Sequence, residues 1–192
     1  MSSQQALNLL VIDNFYKNPV DVRNFALSQE FKVTGNYPGR RTQSFATPEL
    51  KELINRYLEP FSGAITEFPM ESGAYNGSFQ YTTSRDRSWI HTDHHNTWGG
   101  VLYLTPDAPV NSGTAFYRIK NDGEMYENPL KRDYVDRYGQ DLTKWEQVDT
   151  VGNVFNRLVL FNSKRYHISM DYFGTDKMDG RLFQVFFFST ER

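Results

Sequence analysis

The C-terminal run 181-RLFQVFFFS-189 limits this chain more than any other stretch. Aromatic and branched aliphatic residues fill six of its nine positions, which suits a strand packed on both faces rather than a helix of a bundle. Related runs precede it: 77-GSFQYTT-83, 87-RSWIHTD-93, 99-GGVLYLT-105, 113-GTAFYRI-119 and 157-RLVLFN-162. Six strands in the last two thirds of the chain, supplied with fifteen Phe and twelve Tyr, predict a β-sandwich or open barrel.

The first third reads as its buttress. An opening strand, 7-LNLLVIDNF-15, leads to 18-NPVDVRNFALSQEF-31, where Asn18 is placed to cap a helix and Pro19 to start it. In 47-TPELKELINRYLEPF-61, Thr47 and Pro48 play the same parts, and Leu50, Leu53, Ile54, Tyr57 and Leu58 form a core-facing stripe. Between the helices, 34-TGNYPGRRTQSF-45 carries Arg40 and Arg41 on a Gly/Pro loop that either lines an entrance or is simply solvated. Residues 120–153 are polar and charged and predict a partly helical insertion, either a lid or, on balance, a solvated excursion. Residues 1–192 are expected to form one domain.

Composition narrows the chemistry. A net charge of −2 with no sustained Lys/Arg cluster argues against a nucleic-acid partner. The N-terminus lacks the basic start and long apolar core of a signal peptide, and no apolar run reaches membrane-spanning length, so a cytoplasmic protein is expected. The chain has no cysteine, so any metal must be held by histidine and carboxylate.

Histidine is scarce, yet three of the four lie in 88-SWIHTDHHNTWGG-100. If 87–93 is extended, His91 and Asp93 point to one face and His94 to the other. One imidazole and one carboxylate, joined by His167 from beyond the apolar run 157–162, form a two-His-one-carboxylate facial triad able to hold Fe(II) with coordination sites left open. His95 shares the parity of Asp93 and replaces His91 if the strand runs on.

The ordered set 91-HTD-93, 101-VLYLT-105, 113-GTAFYR-118, 157-RLVLFNSKRYH-167 and Arg181 opening the last strand resembles the iron- and 2-oxoglutarate-dependent dioxygenases. The similarity is to their prolyl-hydroxylase-like branch, which includes short stand-alone bacterial and phage members. The resemblance implies a mainly β fold with flanking helices, a double-stranded β-helix (jelly roll, cupin-like). It implies Fe(II) on His91, Asp93 and His167, 2-oxoglutarate with its distal carboxylate on Arg181 and Tyr103, and Tyr81 as a second tyrosine of the cosubstrate pocket. O₂ and a small-molecule or peptide substrate, proline-like by the branch, complete the expected reaction. Asp93 favours hydroxylation, since the related halogenases lack that carboxylate. The separation from His167 to Arg181 is longer than usual for the branch, and Lys164 and Arg165 compete for the clamp. Without the resemblance, the two tyrosines read equally well as core residues. A non-redox cupin-like binding module or isomerase is the alternative, and it has no need of a dicarboxylate clamp.

Overall fold

The computed structural model describes residues 7–192. Part of the N-terminal stretch read for a leader, residues 1–6, therefore lies outside the described residues. In chain order the elements are β1 (Leu9–Ile12), α1 (Pro19–Ser28), β2 (Arg40–Arg41), α2 (Pro48–Ser62), β3 (Ile65–Glu67), β4 (Phe79–Thr82), β5 (Trp98–Tyr103), β6 (Thr114–Ile119), α3 (Arg132–Tyr138), β7 (Trp145–Val151), β8 (Leu158–Asn162), β9 (His167–Ser169) and β10 (Arg181–Thr190). Among the described residues these strands form two antiparallel sheets. The major sheet runs β1-β8-β5-β10-β4-β2, with β3 also on β10, and the minor sheet runs β7-β6-β9.

Side-chain alternation along the major sheet builds the layers. On β10, Leu182, Phe186 and Phe188 point outward and meet Ile54 and Leu58 of α2 and Ala26 of α1. The intervening Phe183 and Val185 point inward and meet Phe116 and Val151 of the minor sheet. The neighbouring strands obey the same parity: Leu102, Leu158 and Leu160 lie with the helices, and Val101, Tyr103, Val159 and Phe161 lie between the sheets. The aromatic-rich run of the last strand is thus covered on both faces. Thr47 caps α2 by accepting the Leu50 N–H at 3.2 Å, whereas Asn18 begins α1 without a side-chain capping bond.

Two expectations need correction. Residues 87–93 are not a strand; the segment touches a sheet only through a bridge between His91 and His167. Nor is 120–153 an excursion throughout. Its second half is β7, which pairs with β6 and buries Trp145 and Val151. Its first half contributes α3, whose Tyr134 and Val135 cover a third cluster of Ile90, Tyr117, Ile119 and Tyr166 on the outer side of the minor sheet. Along Trp145–Val151 the residues between the two buried ends are exposed or half-exposed, so the strand carries a charged sequence.

Candidate metal centre

His167 is fixed from two sides. On one side it pairs with Phe116 of β6, and on the other it exchanges backbone hydrogen bonds with His91 at 2.9 and 3.0 Å. That exchange brings the imidazole rings to 4.5 Å, centroid to centroid. The Asp93 N–H donates to the Ser163 carbonyl at 2.9 Å, which brings its carboxylate to 3.5 Å from His167 Nε2. A glycine is needed beneath it: a Cβ at Gly99 would lie 2.9 Å from Asp93 Oδ2 and 2.8 Å from the Phe161 ring.

The two rings are also oriented alike. Nδ1 of His91 lies 2.9 Å from the Trp89 carbonyl, and Nδ1 of His167 lies 2.8 Å from the Arg165 carbonyl. Each Nδ1–H donates to that oxygen and each Nε2 keeps its lone pair, as metal-binding imidazoles require. Burial, reinforced by the neighbouring His91, lowers the His167 pKa to about 4, with Asp93 opposing. The ring is therefore neutral near pH 7. One ligand atom from each of His91, Asp93 and His167 lies within 4.8 Å of the others, close enough to share an ion. His94 turns outward to Glu127, which also pairs with Lys164, and His95 is exposed. The structure thus joins His91, Asp93 and His167 by a loop and a bridge rather than by strand parity.

Arg181 opens β10 and is almost wholly buried on the inner face. Its Nε donates to the Ser112 carbonyl at 2.9 Å and its Nη2 to that of Gly113 at 3.4 Å. The Phe183 and Tyr103 rings lie 4.4 and 5.3 Å from the guanidinium. Among the described residues no carboxylate pairs with it. The competing cations do have such partners: Lys164 pairs with Glu127 and Arg165 with Asp149. The long connection before Arg181 is tied to itself, with Asp179 accepting the N–H groups of Thr175 and Asp176, so it does not displace the arginine from the strand start.

Tyr103 is fully buried and its hydroxyl shares a 2.8 Å hydrogen bond with Thr114. Burial raises its pKa, and the nearby Arg181 counters this. The Thr82 hydroxyl, directly opposite Arg181 on β4, is buried with no hydrogen-bond partner among the described residues. Tyr81 requires correction. It alternates with Gln80 and Thr82, so it faces the helices, where it packs edge-on against Phe31 at 5.0 Å. Trp98 likewise lies on the outer side, donating to Thr190 Oγ1 at 3.0 Å.

A cavity of about 680 Å³ opens beside the triad, reaching His91, Asp93 and Trp89. The sequence had left Arg40 and Arg41 undivided. The structure exposes Arg40 and buries Arg41 in the cavity wall beneath Tyr37 and Tyr75. The register of β2 on β4 carries that choice, and no pattern in 34–45 announces it.

A family model described as a family of unknown function, DUF6445, matches residues 2–188. The chain belongs to this family. No curated protein is detectably similar to it in sequence. Solved structures resemble this DUF6445 member despite low identity. HygX from Streptomyces hygroscopicus, with nickel and 2-oxoglutarate bound, gives a TM-score of 0.63 at 13% identity over 96% of this chain and 83% of that one. The same protein with nickel, 2-oxoglutarate and hygromycin B bound gives 0.61 at 12% identity, over 96% and 83%. A prolyl hydroxylase from Trichoplax adhaerens, in complex with a hypoxia-inducible-factor peptide, gives 0.54 at 14% identity over 94% and 83%. The DUF6445 fold is the double-stranded β-helix, mainly β with flanking helices, shared with these proteins.

Proposed function

We propose that this protein is an Fe(II)- and 2-oxoglutarate-dependent oxygenase acting as one cytoplasmic domain. The reaction takes 2-oxoglutarate, O₂ and a C–H bond of a small molecule or peptide to succinate, CO₂ and the hydroxylated product. One observation carries the reading. An open His-Asp-His set lies at one end of the inner face, and a buried guanidinium without a protein counter-ion lies on that same face. Burying such a charge is costly unless an anion meets it, and a dicarboxylate cosubstrate would supply one. The unpartnered Thr82 hydroxyl beside Arg181 points the same way. HygX, which shares the fold, binds 2-oxoglutarate together with nickel.

The donor set fits iron: two neutral imidazoles and one carboxylate leave adjacent positions open. Bound there, iron would supply O₂ activation and a seat for the keto-acid end of 2-oxoglutarate. The Trp89 and Arg165 carbonyls hold His91 and His167 in the ligating tautomer. Arg181, whose planar fork matches a carboxylate, would orient the cosubstrate, with Tyr103 and Thr82 beside it. Asp93 occupies the position that a halogenase would vacate, which supports hydroxylation. Phe161 and Phe116, whose rings lie 4.6 and 6.4 Å from that of His167, exclude water from the inner side of the site.

The test is calorimetric titration of 2-oxoglutarate into metal-loaded protein, followed by an assay for O₂-dependent succinate. Wild type should bind and turn over, and Asp93→Ala should do neither. A wild type that binds metal but no 2-oxoglutarate would instead be a non-redox cupin-like module.

A further inference from the structure

Arg41 is a buried guanidinium on the inner face that, unlike Arg165 with its Asp149, has no carboxylate partner, and the clamp described above does not use it. It is 4% exposed and lies in the wall of the cavity that reaches His91 and Asp93. Its Nε and Nη2 both donate to one oxygen of Gln80, at 2.9 and 2.5 Å. Gln80 in turn donates to the Pro38 carbonyl at 2.6 Å, so this inner edge is locked by a neutral amide. The ring of Tyr37 lies 3.7 Å from the guanidinium carbon and that of Tyr75 lies 4.7 Å away. Rings satisfy a cation's charge in part but accept none of its in-plane N–H bonds. Nη1 and the outer N–H of Nη2 have no acceptor among the described residues, and no carboxylate pairs with Arg41. Its hydrogen-bond partner differs from those of Arg181, which donates instead to the Ser112 and Gly113 carbonyls.

The geometry points to Arg41 as the anchor for a carboxylate on the oxygenase substrate, bound end-on at the unfilled N–H edge of the guanidinium beside the Tyr37–Tyr75 pair, whose rings meet edge to face at 5.5 Å, with the rest of the molecule reaching toward the metal centre. This rests on the oxygenase reading and names the substrate class for that site. The guanidinium fork fits a carboxylate with two parallel hydrogen bonds. The remaining charges on the cavity wall limit the rest of the ligand. Besides Asp93, the proposed iron ligand, whose charge also reaches Arg41, the wall carries Glu67, Glu71, Glu127 and Asp136 with Arg132 as the other cation, and Glu127 is already engaged by Lys164 and His94. A polyanion would be repelled by this rim. The class is therefore a monocarboxylate whose remainder is neutral or cationic, as in amino acids and their derivatives. A volume of about 680 Å³ suits a molecule of that kind and is within the range of small-molecule sites.

The experiment follows the arginine Nε–H resonances of ¹⁵N-labelled, zinc-loaded full-length protein by NMR. Acetate should shift the Arg41 resonance saturably, and acetamide should not. In Arg41→Gln, with the Trp89 indole N–H in the same cavity as reporter, acetate affinity should fall at least tenfold. Arg41→Lys, which keeps the charge but loses the fork, should fall between the two. 2-Oxoglutarate should move Arg181 and leave Arg41 in place. An Arg41 resonance indifferent to acetate, or one that 2-oxoglutarate moves in place of Arg181, would overturn the assignment. If 2-oxoglutarate moved neither arginine, the oxygenase reading would fail while acetate at Arg41 still reported on the anion site by itself.

Discussion

The two faces of the major sheet are built from the same strands and do opposite work. Toward the helices, β10 presents Leu182, Phe186 and Phe188 to a closed apolar cluster. Toward the minor sheet, one residue out of step, it presents Arg181, and β2 and β4 add Arg41, Gln80 and Thr82, all buried and polar. A face built for stability alone would not bury two guanidiniums without carboxylates, because each costs free energy until an anion arrives. Alternation thus leaves one face largely apolar and sets the proposed binding groups among the apolar residues of the other, where Phe183 and Val185 still pack on Phe116 and Val151.

The largest expected effect breaks the inner side at its metal end. His91→Ala, Asp93→Ala and His167→Ala should each lower iron affinity by more than about 100-fold, the upper reach of changes to residues that merely orient ligands. His94→Ala should leave iron content unchanged. Metal analysis of the purified variants checks this, and iron lost from His94→Ala but kept by His91→Ala would reverse the ligand assignment.

Substitutions on opposite faces of β10 sharpen the comparison. Phe186→Ala should cost about 3–5 kcal/mol of stability, as for other buried phenylalanines, while cosubstrate affinity of the folded fraction stays unchanged. Arg181→Ala should do the reverse. Loss of a desolvated charge pair costs on the order of 2–5 kcal/mol, which is roughly thirtyfold to several thousandfold in 2-oxoglutarate affinity. Thermal melts of the cosubstrate-free protein should show a smaller loss than for Phe186→Ala, because an unpaired guanidinium stabilises little. Arg181→Lys should recover binding in part. Denaturation curves and calorimetry on all three variants read both axes.

The smallest contrast lies between two tyrosines. Tyr103→Phe should weaken 2-oxoglutarate binding severalfold, the value of about one hydrogen bond of 0.5–1.5 kcal/mol. Tyr81→Phe should leave it unchanged, because Tyr81 packs on Phe31 across the sheet. Equal losses in both would mean that the face assignment of β4 is wrong.

Much of this division was legible in the sequence, and the failures have physical causes. The strand runs other than 87–93, and Arg181 at the head of the last strand, could be read because burial repeats with a short period along the chain, and the Thr47 cap because Pro48 follows it; His91 with Asp93 was reached through a strand parity that this loop does not have. The face of Tyr81 was also readable, since Phe79 and Tyr81 share parity and pair with the core, but the family pattern outweighed that signal. β7 is not legible in the sequence because it is an edge strand of the minor sheet, with exposed Glu146, Gln147, Asp149 and Thr150 between its buried ends. The burial of Arg41 has no signature in the sequence because it depends on Tyr37 and Tyr75, which converge from two different loops. Contacts between loops leave no periodic trace.

The central claim is that the metal end and the arginine end of the inner face bind one molecule between them. Anaerobic titration of Fe(II)-loaded protein with 2-oxoglutarate, followed in the visible spectrum, tests it most directly. A metal-to-ligand charge-transfer band should saturate with 2-oxoglutarate in the wild type, require far more 2-oxoglutarate in Arg181→Ala, and be absent in Asp93→Ala. An iron-loaded wild type that gives no such band at any 2-oxoglutarate concentration would contradict it.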